Sequence, residues 1–320
     1  MAGPQFGELK RVDLRELWPK EATNFTPWLA ENIGRLGEAL GMDLELVQRE
    51  APVGDYSLDL LAKDIGRNCP VVIENQLNPT DHIHLGQLLT YAAGLDAPIV
   101  IWVCSEVREE HRLALDWLNQ HTDEETEFYA VAIEALQIDG SKPAFNFRPV
   151  VFPNDWRKNS IRATSDGPLS SRSVAYLAFF QNLMDELREK HKFTGARKAQ
   201  PTNWCSYSSG IRGIVYSFSF NQGGRVRAEI YIDTGDRGRN KTIFDSALAM
   251  KDPLEAEFGC PLAWERLDEK QACRIAVYRE GSIEESSKLD EIRQWAVDQL
   301  LKLKKVLGPK MKKAVEAAPL

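Results

Sequence analysis

Cysteine is scarce in this chain, which excludes the architectures that depend on it. Only five cysteines occur among 320 residues, far apart from one another, and none of them forms a Cys-x-x-Cys pair. A disulfide framework or a cysteine-ligated zinc site needs cysteines that are more numerous or more closely spaced. The five histidines include no His-Glu-x-x-His arrangement, so a zinc-protease helix is excluded as well. This usage is typical of a reducing, cytoplasmic compartment.

Long apolar runs are also missing. The sequence has no stretch of about 20 consecutive apolar residues, the length that crosses a bilayer as a helix. Residues 1–20 lack the apolar core of a secretory signal. No Gly-x-Gly-x-x-Gly or Walker-type loop follows a predicted strand, so a Rossmann-like nucleotide enzyme is poorly supported. We therefore expect a cytoplasmic protein without a membrane partner.

Acidic and basic residues are unevenly divided between the two halves of the chain. Residues 1–155 contain 12 Lys and Arg against 26 Asp and Glu, a net charge of −14, whereas residues 156–320 contain 28 against 21, a net charge of +7. This division favours two domains with different electrostatic tasks, an acidic one that holds cations and a basic one that faces a polyanion. Drift of surface charge that serves only solubility explains the same numbers equally well.

Hydrophobic periodicity predicts a mixed α/β domain over residues 1–152. Thr26 and Pro27 suit the N-cap and the first position of a helix that continues to Leu40. Strands are predicted at 44–50, 56–63, 70–74, 98–103, 128–138 and 145–152, and further helices at 81–93 and 106–119. The resulting order, α-β-β-β-α-β-α-β-β, predicts a mixed central sheet flanked by helices.

The second half of the chain is predicted to form a separate α+β domain at 171–320. Residues 153–170 lose periodicity and gain Pro, Ser, Asn and Gly, which indicates a linker. Beyond it, helices are predicted at 173–190, 241–258 and 284–306, and strands at 213–220, 225–233, 262–267 and 272–278. We expect the tail from residue 304 onward to be frayed.

The region most informative about chemistry runs from residue 54 to residue 91. Asp59 lies within the predicted strand 56–63, and Glu74 ends the apolar strand 70–74. If these strands form a hairpin, the two carboxylates approach each other, and a proton or a cation must relieve their repulsion. Mg²⁺ or Mn²⁺ prefers oxygen ligands of this kind, and the carbonyl of Asn75 is a further candidate ligand. A solvated Asp59 on the polar face of an alternating strand is the plainer alternative.

This arrangement resembles the PD-(D/E)XK nuclease superfamily, whose signature is an acidic residue on the second core strand and acid-any-Lys on the third. The match is Asp59 followed by Glu74-Asn75-Gln76, and the resemblance covers about residues 25–120. It implies a restriction-endonuclease-like fold and hydrolysis of phosphodiester bonds, with DNA as the expected substrate. It also implies that Asp59, Glu74 and Gln76 are catalytic and that Asp59, Glu74 and Asn75 hold Mg²⁺ or Mn²⁺. Homodimers, and work in restriction, repair or antiviral defence, are further implications.

Gln76 is the departure from this signature. The Lys usual at this position orients the attacking water and stabilises negative charge on the phosphate. A Gln can hold a water by hydrogen bonds but adds no positive charge, and some restriction endonucleases of this fold also have Gln there.

The helix predicted at 81–93 extends the resemblance. Its Gln87 and Tyr91 are similar to the Gln-any₃-Tyr feature of the RecB-like branch, in which this helix lines the DNA-binding cleft. The family's first helix often carries a further acidic metal ligand, for which Glu31 is the best placed candidate. Tyr91 is equally well explained as a core residue, and Gln87 as a cap of a buried backbone group.

A group of basic residues in the second half is a candidate nucleic-acid contact. Its members surround two predicted strands and a Gly-rich turn: Arg225, Arg227, Arg237, Arg239 and Lys241. Aromatic residues alternate along the same strands, at Tyr216, Phe218, Phe220 and Tyr231. Aromatic rings can stack on bases, although core packing is the more frequent reason for alternation at strand spacing.

Two functional hypotheses follow. The first is a Mg²⁺-dependent nuclease whose basic second domain recruits nucleic acid. The second is a catalytically inactive nuclease-fold protein that acts as a nucleic-acid-binding or assembly module. The acidity of residues 1–155 and the Gln at position 76 favour the second hypothesis, because an acidic domain must offset its repulsion of DNA.

Overall fold

The structure, a computed structural model, describes residues 6–123, 125–153 and 170–318. The chain divides into two units. The first comprises residues 1–40, 46–64 and 68–167, and the second comprises residues 41–45, 65–67 and 168–320. The predicted linker at 153–170 falls almost wholly outside the described residues.

A mixed sheet forms the centre of the first unit. In the described ranges its strands are β1 (Leu9–Arg11), β2 (Leu44–Val53), β3 (Tyr56–Asp64), β4 (Cys69–Asn75), β5 (Ile99–Cys104), β6 (Glu127–Ile138) and β7 (Ala144–Val151). Their order is β1-β6-β5-β4-β3-β2, and β7 also pairs with β6. β4, β5 and β6 are parallel, whereas β3 is antiparallel to β4 and β7 is antiparallel to β6. The predicted α/β fold with a mixed central sheet is confirmed.

Helices flank this sheet, and the two longest connect its parallel strands. They are α1 (Leu14–Leu17), α2 (Thr26–Glu31), α3 (Ile33–Leu40), α4 (His82–Leu95) and α5 (Glu109–His121), and a π-helical turn at Glu21–Phe25 precedes α2. Leu88 and Tyr91 of α4 and Leu115 of α5 pack in one core with Val72 and Trp102 of the sheet. β4 and β5 are therefore buried on both faces, which explains their almost continuous apolar sequences.

The helix predicted from Thr26 to Leu40 is in fact two helices. The first of them begins at Thr26, one residue earlier than predicted, so Thr26 is its first residue and not its N-cap, and Pro27 lies in its first turn. Asn32 then leaves the helical conformation, with φ −107° and ψ 17°. The side-chain amide of Asn32 donates to the carbonyl of Trp28 at 2.8 Å. Asn side chains compete in this way for backbone acceptors, and this competition interrupts the helix.

The second unit is an antiparallel sheet with helices on one face. Its described elements are α6 (Ser171–Glu189), β8 (Trp204–Ile211), β9 (Ile214–Asn221), β10 (Arg225–Ile232), α7 (Arg237–Leu248), α8 (Lys251–Phe258), β11 (Ala263–Glu265), β12 (Cys273–Glu280), α9 (Leu289–Lys302) and α10 (Gly308–Ala317). The strand order is β11-β12-β10-β9-β8. Phe180 of α6, Phe244 of α7 and Leu300 of α9 share one core with Tyr216 and Phe218 of β9.

Three details of the second unit differ from the sequence prediction. The tail is not frayed, because Gly308–Ala317 forms a helix that begins with a Pro in its first turn and buries Met311 and Ala314. The predicted helix 241–258 is two helices, separated at residues 249–250. β8 was not predicted, since its serines mask the alternation of buried Cys205 and Tyr207.

In the described part of the chain, no helix is long and apolar enough to cross a membrane.

Candidate functional site

Asp59 and Glu74 lie beside each other on adjacent strands of the first sheet. Leu60 of β3 pairs with Ile73 of β4 in the antiparallel register, so Asp59 and Glu74 are the next pair along. On its other side Glu74 is paired with Trp102 of β5. Only 3% of Glu74 is exposed. The structure therefore brings together the two carboxylates that the hairpin argument placed side by side.

Asn75 holds Asp59 in place. The backbone N–H of Asn75 donates to Oδ2 of Asp59 at 2.9 Å, and the side-chain amide of Asn75 donates to the same oxygen. The hydroxyl of Thr26, at the start of α2, donates to Oδ1 of Asn75 at 3.0 Å. Hydrogen bonds thus connect the start of α2, through Asn75, to the carboxylate of Asp59.

The two buried carboxyl groups repel each other when both are ionised. Burial raises the pKa of Glu74 to about 9, and the neighbouring charge of Asp59 adds to this effect. Burial also raises the pKa of Asp59, against the lowering effect of the Asn75 N–H. One oxygen of Glu74, Oε2, is buried without a hydrogen-bond donor among the described residues. A pair of this kind is stable with a shared proton or with a bound cation.

Two further carboxylates, those of Glu21 and Glu50, act on this pair, although the sequence analysis did not select them. Their charges raise the pKa of Asp59, and Glu50 also raises the pKa of Glu74. Glu21 lies in the π-helical turn before α2, and its Oε2 accepts the backbone N–H of Leu77 at 2.5 Å. Glu31, the predicted first-helix ligand, is instead exposed at the end of α2. The first-helix carboxylate whose charge reaches Asp59 is therefore Glu21, ten residues earlier.

Glu21 and Glu50 do not complete a set of direct metal ligands with Asp59 and Glu74. In the described ranges, no three His, Cys, Asp or Glu side chains are grouped so that they could hold a metal ion. A cation at this site would therefore take its side-chain ligands from Asp59 and Glu74, and the predicted backbone carbonyl of Asn75 stays a further candidate ligand. Mg²⁺ is commonly bound in this way, with one or two carboxylates, several waters and the phosphates of a substrate.

The side chain of Gln76 is used within the scaffold. Its Oε1 accepts the indole N–H of Trp102 at 2.9 Å, and its Nε2 donates to the carbonyl of Pro79 at 2.8 Å and to Asp81 at 3.2 Å. Only 1% of Gln76 is exposed. The amide therefore fixes the turn between β4 and α4, a different task from the one that the resemblance implies.

Tyr91 lies near the carboxylate pair, and Gln87 is hydrogen-bonded to Tyr91. Tyr91 is buried in the core beneath α4, as one of the two sequence-based interpretations expected. Burial raises the pKa of Tyr91, the negative charges of Glu74 and Asp59 raise it further, and a hydrogen bond with Gln87 lowers it. The tyrosine thus packs in the core and also borders the site.

The start of α4 carries a hydrogen-bonded histidine group. Asp81 caps the helix through the N–H of His84, whose Nδ1 lies 2.9 Å from the same carboxylate. Nδ1 of His82 lies 2.9 Å from Nε2 of His111 on α5, and Nδ1 of His111 lies 2.8 Å from the hydroxyl of Thr80. These contacts tie the N-termini of α4 and α5 together at the carboxyl ends of β4 and β5.

The basic residues selected on β10 differ in their environments. Arg225 is exposed, and its guanidinium lies over the ring of Tyr278 at 4.4 Å. Arg227 is half-buried, and its Nε lies 3.0 Å from the buried carboxylate of Glu229, which also has Arg274 at 2.7 Å. Arg227 and Arg274 are therefore both paired with the buried carboxylate of Glu229. Of the two arginines predicted on β10, Arg225 is the one that faces solvent.

The basic residues of α7 serve mainly to hold a neighbouring loop. Arg237 donates to the carbonyl of Asp268. Arg239 is half-buried near the start of the same helix. Lys241 is only 7% exposed, and its ammonium lies within hydrogen-bond distance of four carbonyls, those of Arg266, Leu267, Lys270 and Ala272 at 2.6–3.0 Å. From this position Lys241 fixes the loop between β11 and β12, and its charge does not face a phosphate. Tyr216, Phe218 and Phe220 are buried core residues.

Two comparisons with known proteins each match part of the chain. A family model described as a domain of unknown function, DUF4268, matches residues 175–310. No curated protein matches the chain in sequence. Among solved structures, the chain is similar to a repair endonuclease from Pyrococcus abyssi, with 19% sequence identity and a TM-score of 0.25. This match covers 28% of the present chain and 41% of that one.

Proposed function

We propose that this protein is a divalent-cation-dependent nuclease that hydrolyses phosphodiester bonds, with DNA as its substrate. The observation that carries the proposal is the Asp59–Glu74 pair, in which a buried carboxylate oxygen has no donor within the described residues. An oxygen of this kind fits a hard cation such as Mg²⁺ or Mn²⁺. The first unit also has the element order that the resemblance to PD-(D/E)XK nucleases requires, with an acidic residue on each of β3 and β4.

The chain's own residues prepare this site in three ways. Asn75 fixes one oxygen of Asp59, so that the other oxygen is directed to a ligand. Burial, and after it the charge of Asp59, raises the pKa of Glu74, and a cation bound beside it would lower this pKa, because a positive charge favours the ionised carboxylate. Tyr91, to which Gln87 is hydrogen-bonded, lies near the pair on the side of α4. A divalent cation held there supplies Lewis-acid activation of water and neutralises charge on the scissile phosphate.

The second unit contributes affinity for nucleic acid in this proposal. Residues 156–320 carry a net charge of +7, which opposes the −14 of residues 1–155. Exposed Arg225, stacked on Tyr278, is the contact that we select from the predicted group. The buried Lys241 is not part of the proposed surface.

A cleavage assay tests the proposal. Purified full-length protein is incubated with plasmid, linear duplex and single-stranded DNA, and with RNA, in Mg²⁺, Mn²⁺, Ca²⁺ or EDTA. We expect DNA cleavage with Mg²⁺ or Mn²⁺ and none in EDTA, and a loss of cleavage in Asp59→Asn and Glu74→Gln. Glu16→Gln is the matched control, because it removes an exposed carboxylate of the same unit that has no predicted role in the site. Cleavage at the wild-type rate by either site variant would refute the proposal.

A second candidate function is a catalytically inactive nucleic-acid-binding or assembly module. The observation that favours it is the engagement of the Gln76 amide with Trp102, Pro79 and Asp81, which uses both of its N–H donors, in a side chain that is only 1% exposed. The same assay separates the two functions. Salt-sensitive DNA binding without cleavage in any cation would select the second one.

A further inference from the structure

The strand β2 contains a backbone conformation that side-chain-bearing residues rarely adopt. Glu50 has φ +49°, in the left-handed region that favours glycine. It occurs well inside the strand, between exposed Arg49 and buried Ala51. Residues in such conformations are held by their surroundings, and they cluster at sites of function. The surroundings of Glu50 therefore matter.

The carboxylate of Glu50 is held on the face of the hairpin that carries Asp59. The hydroxyl of Ser57 donates to Oε2 of Glu50 at 2.9 Å. Ser57 precedes Asp59 by two residues in β3, so both side chains point to the same face, about 7 Å apart along the strand. The charge of Glu50 also reaches Asp59 and Glu74, since it raises the pKa of both.

This geometry concentrates negative charge beside an unsatisfied oxygen. Glu74 is 97% buried, and its Oε2 has no hydrogen-bond donor within the described residues. The charge of a third carboxylate adds to the repulsion within this pair, and a cation held by Asp59 and Glu74 would reduce that repulsion.

The spacing indicates how Glu50 would act. Two oxygens bound directly to one Mg²⁺ lie at most about 4.2 Å apart, because each Mg–O distance is about 2.1 Å. A water bound to the ion and hydrogen-bonded outward at about 2.7 Å extends this reach to about 7 Å. Among the described residues, Glu50 does not group with Asp59 and Glu74 closely enough for all three carboxylates to hold one ion directly, so any contact of Glu50 with the ion is of the second kind.

We propose that Glu50 is a further carboxylate of the cation site, which holds the hydration shell of a divalent ion bound directly by Asp59 and Glu74. This inference rests on the proposed cation site, but it concerns binding and does not depend on cleavage. In it, Glu50 is a positioning residue that acts through a metal-bound water. Ser57 in turn keeps the Glu50 carboxylate on the correct face.

Calorimetric titration of the full-length protein with Mn²⁺, without nucleic acid, tests the inference. We expect Glu50→Gln to weaken Mn²⁺ binding by roughly 10- to 100-fold, the range typical of residues that support metal ligands. Ser57→Ala should weaken it less, and Glu74→Gln should abolish it. Glu16→Gln, which removes an exposed carboxylate of α1, is the control and should bind as the wild type does.

Glu50→Gly adds a second measurement, which does not depend on heat of binding. Glycine relieves the unfavourable φ, so the melting temperature in EDTA should be unchanged or higher. The increase in melting temperature on addition of Mn²⁺ should nevertheless shrink, because the carboxylate is lost. This combination separates a functional role from a merely structural one.

The outcomes also separate this inference from the proposed function. If Glu50→Gln and Glu50→Gly respond to Mn²⁺ as the wild type does while Glu74→Gln does not, the role of Glu50 is refuted and the cation site stands. If the wild-type protein itself binds no divalent cation, both the inference and the proposed function are refuted.

Discussion

The backbone N–H and the side-chain amide of Asn75 donate to the same oxygen of Asp59. Because Asn75 follows Glu74 directly in β4, the residue that carries one carboxylate is adjacent in the chain to the residue that orients the other. Thr26 fixes the amide from the opposite side, at 3.0 Å. The geometry of the carboxylate pair is therefore set by one strand end and one helix start.

The first prediction concerns this chain of hydrogen bonds. Asn75→Ala should lower the free energy of unfolding by about 1–3 kcal/mol, because it removes the amide donor from Asp59 and leaves the Thr26 hydroxyl without its acceptor. Thr26→Val should cost about 1 kcal/mol for the same reason. Urea unfolding in EDTA measures both.

Asn146→Ala is the control for this prediction. Asn146 is an exposed residue of β7 and donates to Oε2 of Glu134 at 3.2 Å. Its loss should change stability by less than about 0.5 kcal/mol, as is usual for surface positions. Equal effects at Asn75 and Asn146 would contradict the positioning role of Asn75.

The second prediction is a pH dependence of stability that follows from Glu74. Its pKa is raised from 4.5 to about 9 in the folded protein. Between these two values the folded state holds a proton that the unfolded state has lost, so the free energy of unfolding must fall as pH rises. Below about pH 4.5 both states are protonated, and the full contribution is present.

Unfolding curves in EDTA from pH 5 to pH 9 measure this decline. Glu74→Gln imitates the protonated acid and should flatten the decline, while saturating Mg²⁺ should reduce it in the wild type. Mg²⁺ binding near neutral pH should also release a proton, which is visible as a dependence of the binding heat on the buffer. A wild-type curve that coincides with that of Glu74→Gln would contradict the shifted pKa.

The carboxylate pair could be predicted from the sequence, whereas its supporting carboxylates could not. Asp59 and Glu74 lie on neighbouring strands whose apolar patterns fix the pairing. Glu21 lies in a π-helical turn, and Glu50 itself has a left-handed backbone conformation. Neither conformation has a periodicity that a sequence reveals. The family pattern selected Glu31 on the helix instead, and this residue is exposed in the structure.

Charge alone was also a poor guide to exposure in the second unit. A lysine in a basic, Gly-rich segment is usually solvated, but Lys241 is buried among four carbonyls. The acceptors come from a loop about 25–31 residues further along the chain. A contact of that separation depends on tertiary structure, which no local pattern predicts.

The third prediction tests this role of Lys241. Lys241→Met keeps the aliphatic stem but leaves the loop carbonyls without their donor, and it should lower the free energy of unfolding by about 3 kcal/mol. Lys270→Ala changes an exposed charge of the same loop and should cost less than about 0.5 kcal/mol. Chemical unfolding measures both. A Lys241→Met protein of wild-type stability, with lower DNA affinity, would instead favour a surface role.

The fourth prediction separates a nucleic-acid contact from a structural arginine on the same strand. Arg225 is exposed and stacked on Tyr278, whereas Arg227 is paired with buried Glu229. Arg225→Ala should weaken DNA binding with little change in stability. It should also reduce the slope of log affinity against log salt by about 1, since one phosphate contact releases about one counterion.

Arg227→Ala should show the opposite pattern, because it leaves part of the Glu229 charge unpaired in a buried environment. We expect a loss of about 2–4 kcal/mol in the free energy of unfolding, below the cost of removing a sole partner because Arg274 remains at 2.7 Å. The salt slope of the folded variant should stay at the wild-type value. Fluorescence anisotropy of a labelled oligonucleotide over a salt series, together with urea unfolding, measures both variants. If Arg225→Ala leaves affinity and slope unchanged, this face of the second sheet does not contact DNA, and the positive charge of residues 156–320 must act elsewhere.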